Sequence, residues 1–215
     1  MPANPGLQLS LDVKSRSCLV LGGDEEAAEK VHRLLEAGAR VTVVHPTLND
    51  TLRKLTASAK ILHRGRRFRA TDTEGTVLVV NTLQDDFAFS ASLLESARKE
   101  RFLLWSRDQP EASNVAMPAI VSRGHLRVAI STSGVAPALA GRLRQDLDQI
   151  LHDEMVPFLE WLGTLRDETQ AAQPDAERRR ALFRQAVEGF RLTGAVELPS
   201  SWNKENGDAK ASQAS

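Results

Sequence analysis

The chain of 215 residues has little of several features that would assign it to a class at once. Its only cysteine is Cys18, which excludes an internal disulfide and a cysteine-based metal site. Lysine and arginine number 28, as do aspartate and glutamate, so the net charge is zero. A dedicated nucleic-acid binder usually carries a basic excess, and we therefore expect no nucleic-acid partner.

Three further patterns are missing. No apolar run is long enough for a transmembrane helix, so we expect no membrane partner. Residues 1–10 lack the charged-then-apolar form of a signal peptide, which favours a cytoplasmic protein. The five histidines are scattered without the spacing of metal ligands, and we expect no resident metal site.

What is present is typical of a soluble globular protein, with 41% hydrophobic and 26% charged residues. Short apolar runs alternate with segments of helical spacing. The predicted strands are 17–21, 41–44, 60–63, 76–80 and 102–105, and the predicted helices are 26–37, 49–58 and 85–100. Strands that alternate with helices form a parallel sheet covered on both faces. Residues 1–112 therefore predict an α/β fold, a Rossmann-like doubly wound parallel sheet.

The pattern changes in residues 113–151. Two strand-like runs, 119–122 and 126–131, predict a hairpin, and residues 137–151 predict a helix with a leucine stripe. A strand pair and one helix bury little apolar surface alone. We expect this small α+β segment to pack on the first domain or on a second subunit.

The remainder of the chain divides in two. Residues 152–200 predict a C-terminal helical domain, broken near Gln173 and Pro174. Residues 201–215 are small and polar, which predicts a disordered tail.

The turn after the first predicted strand has the context of a dinucleotide fingerprint. It contains Gly22, Gly23, Asp24, Glu25 and Glu26 before Ala27. In the pattern G-x-G-x-x-G/A, the second glycine lets the backbone approach a diphosphate, and here that position is Asp24. Its carboxylate is expected to cap the helix, so that the protein's own charge fills the anion site. The alternative is a turn that binds no ligand.

The second strand ends at His45 and Pro46, where many dinucleotide sites have an acidic residue for the ribose.

A basic stretch follows the second strand. Residues 53–69 hold seven lysines and arginines without an acid, which we interpret as a solvated helix and strand edge. Phosphate or nucleic-acid binding by this stretch is the minor alternative.

Two segments resemble one known family over roughly residues 5 to 165. They are LGGDEEAAEKVHRLLEAGARVTVVHP and RDQPEASNVAMPAIVSRGHLRVAISTSGVAPALAGRLRQDL. The second keeps the ungapped family spacing from Asp108 through Pro118 to Thr132. Both are similar to the precorrin-2 dehydrogenase and sirohydrochlorin ferrochelatase family, which includes the N-terminal part of siroheme synthases.

The resemblance implies oxidation of the tetrapyrrole precorrin-2 to sirohydrochlorin with NAD as cofactor. Some members also insert ferrous iron, which is then a substrate. The family is homodimeric through its middle segment. The implied catalytic residue is Asp108, which follows a predicted strand and could accept a proton. The implied cofactor contacts are Gly22, Gly23, Asp24, Glu25, Glu26, His45, Pro46 and Thr82.

The substrate that the resemblance implies is a polycarboxylate, which needs cationic and N–H donors. Residues Ser131 to Gly134 form a small polar loop before a predicted helix, whose N-terminus is suited to a carboxylate. The expected substrate contacts are Arg107, Ser131, Thr132, Ser133, Gly134 and Arg144, of which Thr132 and Arg144 match family positions.

The chain departs from the family at Asp24, at Leu83 and Gln84 after the fourth strand, and at Trp105. Three hypotheses follow. The first is a precorrin-2 dehydrogenase with or without ferrochelatase activity. The second is a chelatase or a non-catalytic, regulatory tetrapyrrole-binding protein that has lost NAD binding. The third is a general nucleotide-binding module.

Overall fold

The computed structural model describes residues 6–198. The chain divides into two compact units. The first comprises Met1–Ile120 and Ala129–Leu143, and the second comprises Val121–Val128 and Arg144–Ser215. The predicted disordered tail, 201–215, lies outside the described residues.

The first unit contains a five-stranded parallel sheet with strand order β3-β2-β1-β4-β5. Its strands are β1 (Ser17–Leu21), β2 (Arg40–Val44), β3 (Leu62–Arg64), β4 (Leu78–Asn81) and β5 (Leu103–Ser106). The connecting helices are α1 (Glu25–Glu36), α2 (Asp50–Ala57) and α3 (Phe87–Glu100). The order reverses between β1 and β4, where open α/β sheets form a ligand crevice at the carboxyl ends of the strands. The Rossmann-like prediction is confirmed.

Helices cover both faces of this sheet because buried side chains alternate along its strands. Val20, Val43 and Val80 pack with α1 and α2 in one apolar core. Leu19 and Val79 belong to a second core that includes residues of α3. The sheet is therefore the buried layer from which the loops of the site project.

Cys18 lies in β1 and is buried, as predicted. Burial raises the pKa of its thiol to about 11. The thiol is therefore protonated at neutral pH and packs as a small apolar group rather than acting as a nucleophile.

Several elements begin later than the sequence predicted. The third strand occupies Leu62–Arg64 rather than 60–63, and the fourth occupies Leu78–Asn81 rather than 76–80. Asn81 extends the fourth strand because it pairs with Leu21 and Ser106 of the neighbouring strands, and its buried side chain donates to the Ser90 hydroxyl at 3.0 Å. The third helix begins at Phe87 because Asp86 caps it, accepting from the Phe89 N–H at 2.9 Å.

Strand β5 is an edge of the sheet, and the chain that follows it satisfies its outward-facing amides. The Leu104 N–H donates to Asn114 Oδ1 at 2.7 Å, and the Ser106 N–H donates to Ser113 Oγ at 2.8 Å. The Leu104 carbonyl accepts from the Asn114 N–H at 2.9 Å. Side chains thus replace the missing neighbouring strand.

The predicted hairpin and middle helix are present. Strands β6 (Ala119–Arg123) and β7 (Leu126–Ile130) form a two-stranded sheet, and Gly124 in their turn has a φ of +53°. Helix α4 spans Pro137–Ile150. Leu139 is 52% exposed in the single chain, so the leucine stripe is only partly covered.

The C-terminal part contains α5 (Met155–Ala172) and α6 (Ala176–Ala186), separated at the predicted break. Phe158 stacks on Trp161 and on Phe190. Within residues 6–198, no helix has the length and apolarity needed to cross a membrane. In the same range, no group of three or more His, Cys, Asp or Glu side chains could hold a metal ion.

Candidate cofactor crevice and aspartate site

The turn after β1 requires glycine for the packing of the protein itself. Gly22 has a φ of +136°, and a Cβ there would lie 2.0 Å from the Thr82 hydroxyl oxygen. A Cβ on Gly23 would lie 2.0 Å from the Thr47 carbonyl oxygen. Larger residues are thus excluded even without a ligand, and the two glycines alone do not demonstrate a cofactor.

Asp24 is the N-cap of α1, as predicted. Its Oδ1 accepts from the Ala27 N–H at 3.0 Å, and its carbonyl oxygen accepts from the Ala28 N–H at 3.1 Å. Glu25 and Glu26 lie in the first turn, where a negative charge complements the helix dipole. Glu25 accepts from the Asn49 side chain at 2.8 Å.

The carboxyl end of β2 is held by hydrogen bonds within the protein. His45 Nδ1 lies 2.6 Å from the Thr47 carbonyl oxygen, and His63 Nε2 lies 2.9 Å from the His45 carbonyl oxygen. The Asn49 N–H donates to the Gly23 carbonyl at 2.8 Å. His45 and Pro46 thus border the glycine turn, but their role in cofactor binding stays a prediction.

Thr82 is buried at the end of β4. Its hydroxyl donates to the Leu21 carbonyl at 3.0 Å and fills the space that a Cβ on Gly22 would need. The observed contacts of Thr82 therefore join β4 to β1 beneath the turn.

The packing of Trp105 within the domain explains a bulky side chain at this position, where the chain departs from the family. It is partly buried against the core on the α1 side of the sheet, and the Lys30 ammonium lies 5.1 Å from its ring centroid. Lys30 is itself buried and pairs with Glu26 at 2.7 Å. The bulky side chain thus has partners within the domain.

Asp108 lies two residues beyond the end of β5, with its side chain 81% exposed and a φ of +54°. Aspartate is among the residues that tolerate this left-handed conformation. Arg107 Nε is 3.4 Å from Asp108 Oδ2, and Arg107 Nη1 is 3.7 Å from Asp24 Oδ2. We call Asp24, Arg107 and Asp108 the Arg107 cluster, in which one guanidinium lies between the turn and the family's aspartate.

An open cleft of about 660 Å³ lies beside this cluster. Its lining is rich in acids and comprises Asp24, Glu25, Glu26, Ala28, Glu29, His32, Thr51 and Arg107. This distribution agrees with the acidic helix start seen in the sequence, and it is unfavourable to an anionic ligand unless that ligand gains strong donors.

As it stands, the turn does not fit the diphosphate of a dinucleotide. Such a group would bind the free N–H groups of the first turn of α1. The Asp24 carboxylate already accepts from Ala27 and carries the same sign of charge. The topology and the two glycines fit a dinucleotide fold, but Asp24 occupies one N–H of the first turn and adds a negative charge beside the others.

The loop between β7 and α4 also satisfies its own donors. The Thr132 hydroxyl oxygen accepts from the Ala136 N–H at 3.2 Å, and the Ser131 hydroxyl oxygen accepts from the Ser133 N–H at 3.1 Å. Ser133 and Gly134 both have positive φ values. Arg144 lies on α4, in the second compact unit. The substrate role of these residues stays a prediction.

Two arginines of the basic stretch, predicted to be a solvated helix and strand edge, form ion pairs within the protein while their side chains stay 38% and 32% exposed. Arg64 and Arg66 both donate to Asp72, whose side chain is fully buried. Arg66 binds it in a bidentate manner at 2.7 and 2.8 Å, and the Arg69 N–H donates at 2.8 Å. We call Arg64, Arg66 and Asp72 the Asp72 cluster; Asp72 follows the stretch, and no sequence motif marked it.

Sequence reasoning also missed Gln109, which is 3% exposed. Its Oε1 is buried and has no hydrogen-bond partner among the described residues. In the sequence, its position directly after Asp108 was the feature that could have drawn attention to it.

Two family models match the chain. One, described as "Putative NAD(P)-binding", covers residues 9–119, and the other, the sirohaem biosynthesis protein central segment, covers 123–150. The chain is 31% identical over 211 residues to siroheme synthase of Methylococcus capsulatus, covering 96% of this chain and 44% of that protein. It is 35% identical over 175 residues to siroheme synthase 1 of Serratia proteamaculans, covering 81% and 37%. The chain thus spans less than half the length of these relatives.

A solved structure described as SirC, precorrin-2 dehydrogenase, has the same fold. Its TM-score is 0.74 at 24% identity, and the match covers 86% of this chain and 90% of that one. The first family model covers just over half of the chain. The chain therefore belongs to the NAD(P)-binding family, and its continuation into the sirohaem biosynthesis segment confirms the predicted resemblance to precorrin-2 dehydrogenases and siroheme synthases.

Proposed function

We propose that this protein acts in siroheme biosynthesis as an oxidoreductase that converts precorrin-2 to sirohydrochlorin, with NAD(P) as the hydride acceptor. The observation that carries the proposal is the position of Asp108. It presents an exposed carboxylate beyond the carboxyl end of β5, in a chain similar to siroheme synthases.

The reaction removes a hydride and a proton from the macrocycle. NAD(P), where bound, supplies the chemistry that takes the hydride. Asp108 is a suitable acceptor for the proton because its carboxylate is 81% exposed and its ion-pair partner, Arg107, lies 3.4 Å away. Arg107 orients this carboxylate and, being 28% exposed, can also reach a carboxylate of the substrate.

Substrate binding by the loop from Ser131 to Gly134 and by Arg144 is part of the same proposal. The loop offers hydroxyl groups next to the start of α4, and Arg144 adds a positive charge on that helix. A polycarboxylate tetrapyrrole has the charge that such groups bind.

The test is an anaerobic assay of precorrin-2 with NAD⁺ and separately with NADP⁺, followed by absorbance. We expect turnover by the wild-type protein and a loss of at least 100-fold in Asp108→Ala, because a positioned base contributes on this order. Asp153→Asn is the matched control, since Asp153 is fully exposed and lies in the second unit. Unchanged turnover in Asp108→Ala with an intact fold would exclude the proposed role.

The second candidate function keeps the tetrapyrrole but not the redox step. The carboxylate of Asp24 on the Ala27 N–H favours it, because this carboxylate occupies one donor of the first turn and repels the diphosphate by its charge. This candidate is a chelatase that inserts ferrous iron as a substrate, or a non-catalytic tetrapyrrole-binding protein. Addition of Fe²⁺ or Co²⁺ to sirohydrochlorin in the same assay separates it from the first: metal insertion without NAD-dependent oxidation would favour a chelatase.

A cytoplasmic homodimer completes the proposal. The buried, protonated Cys18 and the absence of any second cysteine suit a reducing compartment. Leu139 and Leu143, both exposed in the single chain, offer apolar surface for a second copy. The mass in solution, measured by light scattering, tests the dimer directly.

A further inference from the structure

The N-terminus of α1 and Arg107 together have the chemistry of an anion site. A helix N-terminus provides N–H groups and a positive dipole end, and a guanidinium adds charge and directional donors. In this chain a single carboxylate is placed between them. Asp24 Oδ1 accepts from the Ala27 N–H at 3.0 Å, while Oδ2 lies 3.7 Å from Arg107 Nη1.

We propose that Asp24 is a built-in anion that determines the ligand specificity of this turn. The inference rests on the proposed function, because it concerns the diphosphate of NAD(P). With Asp24 in place, the diphosphate meets a negative charge and an engaged donor, so a dinucleotide binds only when the carboxylate is displaced from the Ala27 N–H.

The geometry indicates that the Asp24 carboxylate competes with a diphosphate for the helix N-terminus rather than blocking it sterically. The Asp24 side chain is 56% exposed, so rotation away from the helix is sterically open. The same rotation would release Arg107, which also lies 3.4 Å from Asp108. Cofactor binding would thereby change the pairing of the proposed catalytic aspartate, which links the two ends of the Arg107 cluster.

The experiment compares NADH binding by wild-type protein, Asp24→Gly and Asp24→Asn, using nicotinamide fluorescence and calorimetry. We expect Asp24→Gly to bind NADH at least tenfold more tightly, because both the charge and the competing acceptor are gone. Asp24→Asn should show a smaller gain, since asparagine remains a good N-cap acceptor without the charge.

Glu29→Gln is the matched control. Glu29 lines the same acidic cleft and is 58% exposed, but it does not cap the helix. We expect it to change the NADH affinity by less than twofold. Inorganic pyrophosphate, added as a competitor, should displace NADH more effectively from Asp24→Gly than from wild-type protein.

The outcomes separate the inference from the proposed function. Equal, tight NADH binding by wild-type protein and Asp24→Gly would overturn the inference and leave NAD-dependent oxidation in place. Binding by neither protein would overturn both. A gain in Glu29→Gln equal to that in Asp24→Asn would overturn the inference, because the effect would then be one of general charge.

Discussion

The Asp72 cluster and the Arg107 cluster use the same two residue types in different ways. In the first, a fully buried aspartate accepts from two arginines and from a backbone N–H. In the second, one arginine lies between Asp24 and Asp108, whose side chains are 56% and 81% exposed, at 3.7 and 3.4 Å. In the first cluster the carboxylate is buried and held by several donors, whereas in the second both carboxylates are exposed and loosely paired.

This difference in burial distinguishes a carboxylate that stabilises the fold from carboxylates that can bind a ligand. A buried carboxylate has to keep its donors, because losing them leaves an uncompensated charge. An exposed carboxylate can exchange a protein partner for water or a ligand at little cost. We therefore propose a stabilising role for the Asp72 cluster and a ligand-binding role for the Arg107 cluster, and three experiments sharpen the comparison.

The largest effect is expected at Asp72. Asp72→Ala should lower the free energy of unfolding by about 2 kcal/mol, because it removes the buried acceptor of the Arg66 hydrogen bonds and leaves the Arg69 N–H without its partner. Asp108→Asn, at the matched aspartate of the open cluster, should change it by no more than about 0.5 kcal/mol, because asparagine also tolerates the left-handed conformation. Urea unfolding measures both, and comparable losses would remove the distinction between the clusters.

Low pH should destabilise the protein through the same residue, Asp72. The hydrogen bond from Arg66 is the main cause that holds the pKa of Asp72 well below its ordinary value. The stabilisation is fully present above about pH 4, the unfolded value, and is lost as the pH falls from there through the lower folded value. Urea midpoints between pH 7 and pH 3 should fall less steeply in Asp72→Asn than in wild-type protein. An unchanged slope would show that other groups govern the acid response.

The smallest of the three expected effects is an increase in the free energy of unfolding. Gln109 is buried like Asp72, but its Oε1 has no partner among the described residues. Gln109→Leu removes this unsatisfied acceptor at similar volume and should raise the free energy of unfolding by about 1 kcal/mol. The shift in melting temperature measures it; a loss instead would mean that the amide is satisfied in solution.

Local patterns allowed most of the fold to be predicted. The buried strands are apolar runs, and the cap at Asp24 depends on neighbouring residues only, so both could be inferred from sequence. The ion pair of Arg107 with Asp24 could not, because it joins residues brought together only by the order of β1, β4 and β5. Arg64 and Arg66 resembled solvated charges because their partner, Asp72, lies beyond the stretch and is recognisable only by its burial.

The closure of β5 by Ser113 and Asn114 has a consequence for association between copies. An open edge strand invites another chain to extend the sheet, which is a common route to aggregation. Here the outward amides of Leu104 and Ser106 already donate to side chains of the same chain. A second copy therefore gains no backbone hydrogen bonds from these two amides, which disfavours extension of the sheet at β5.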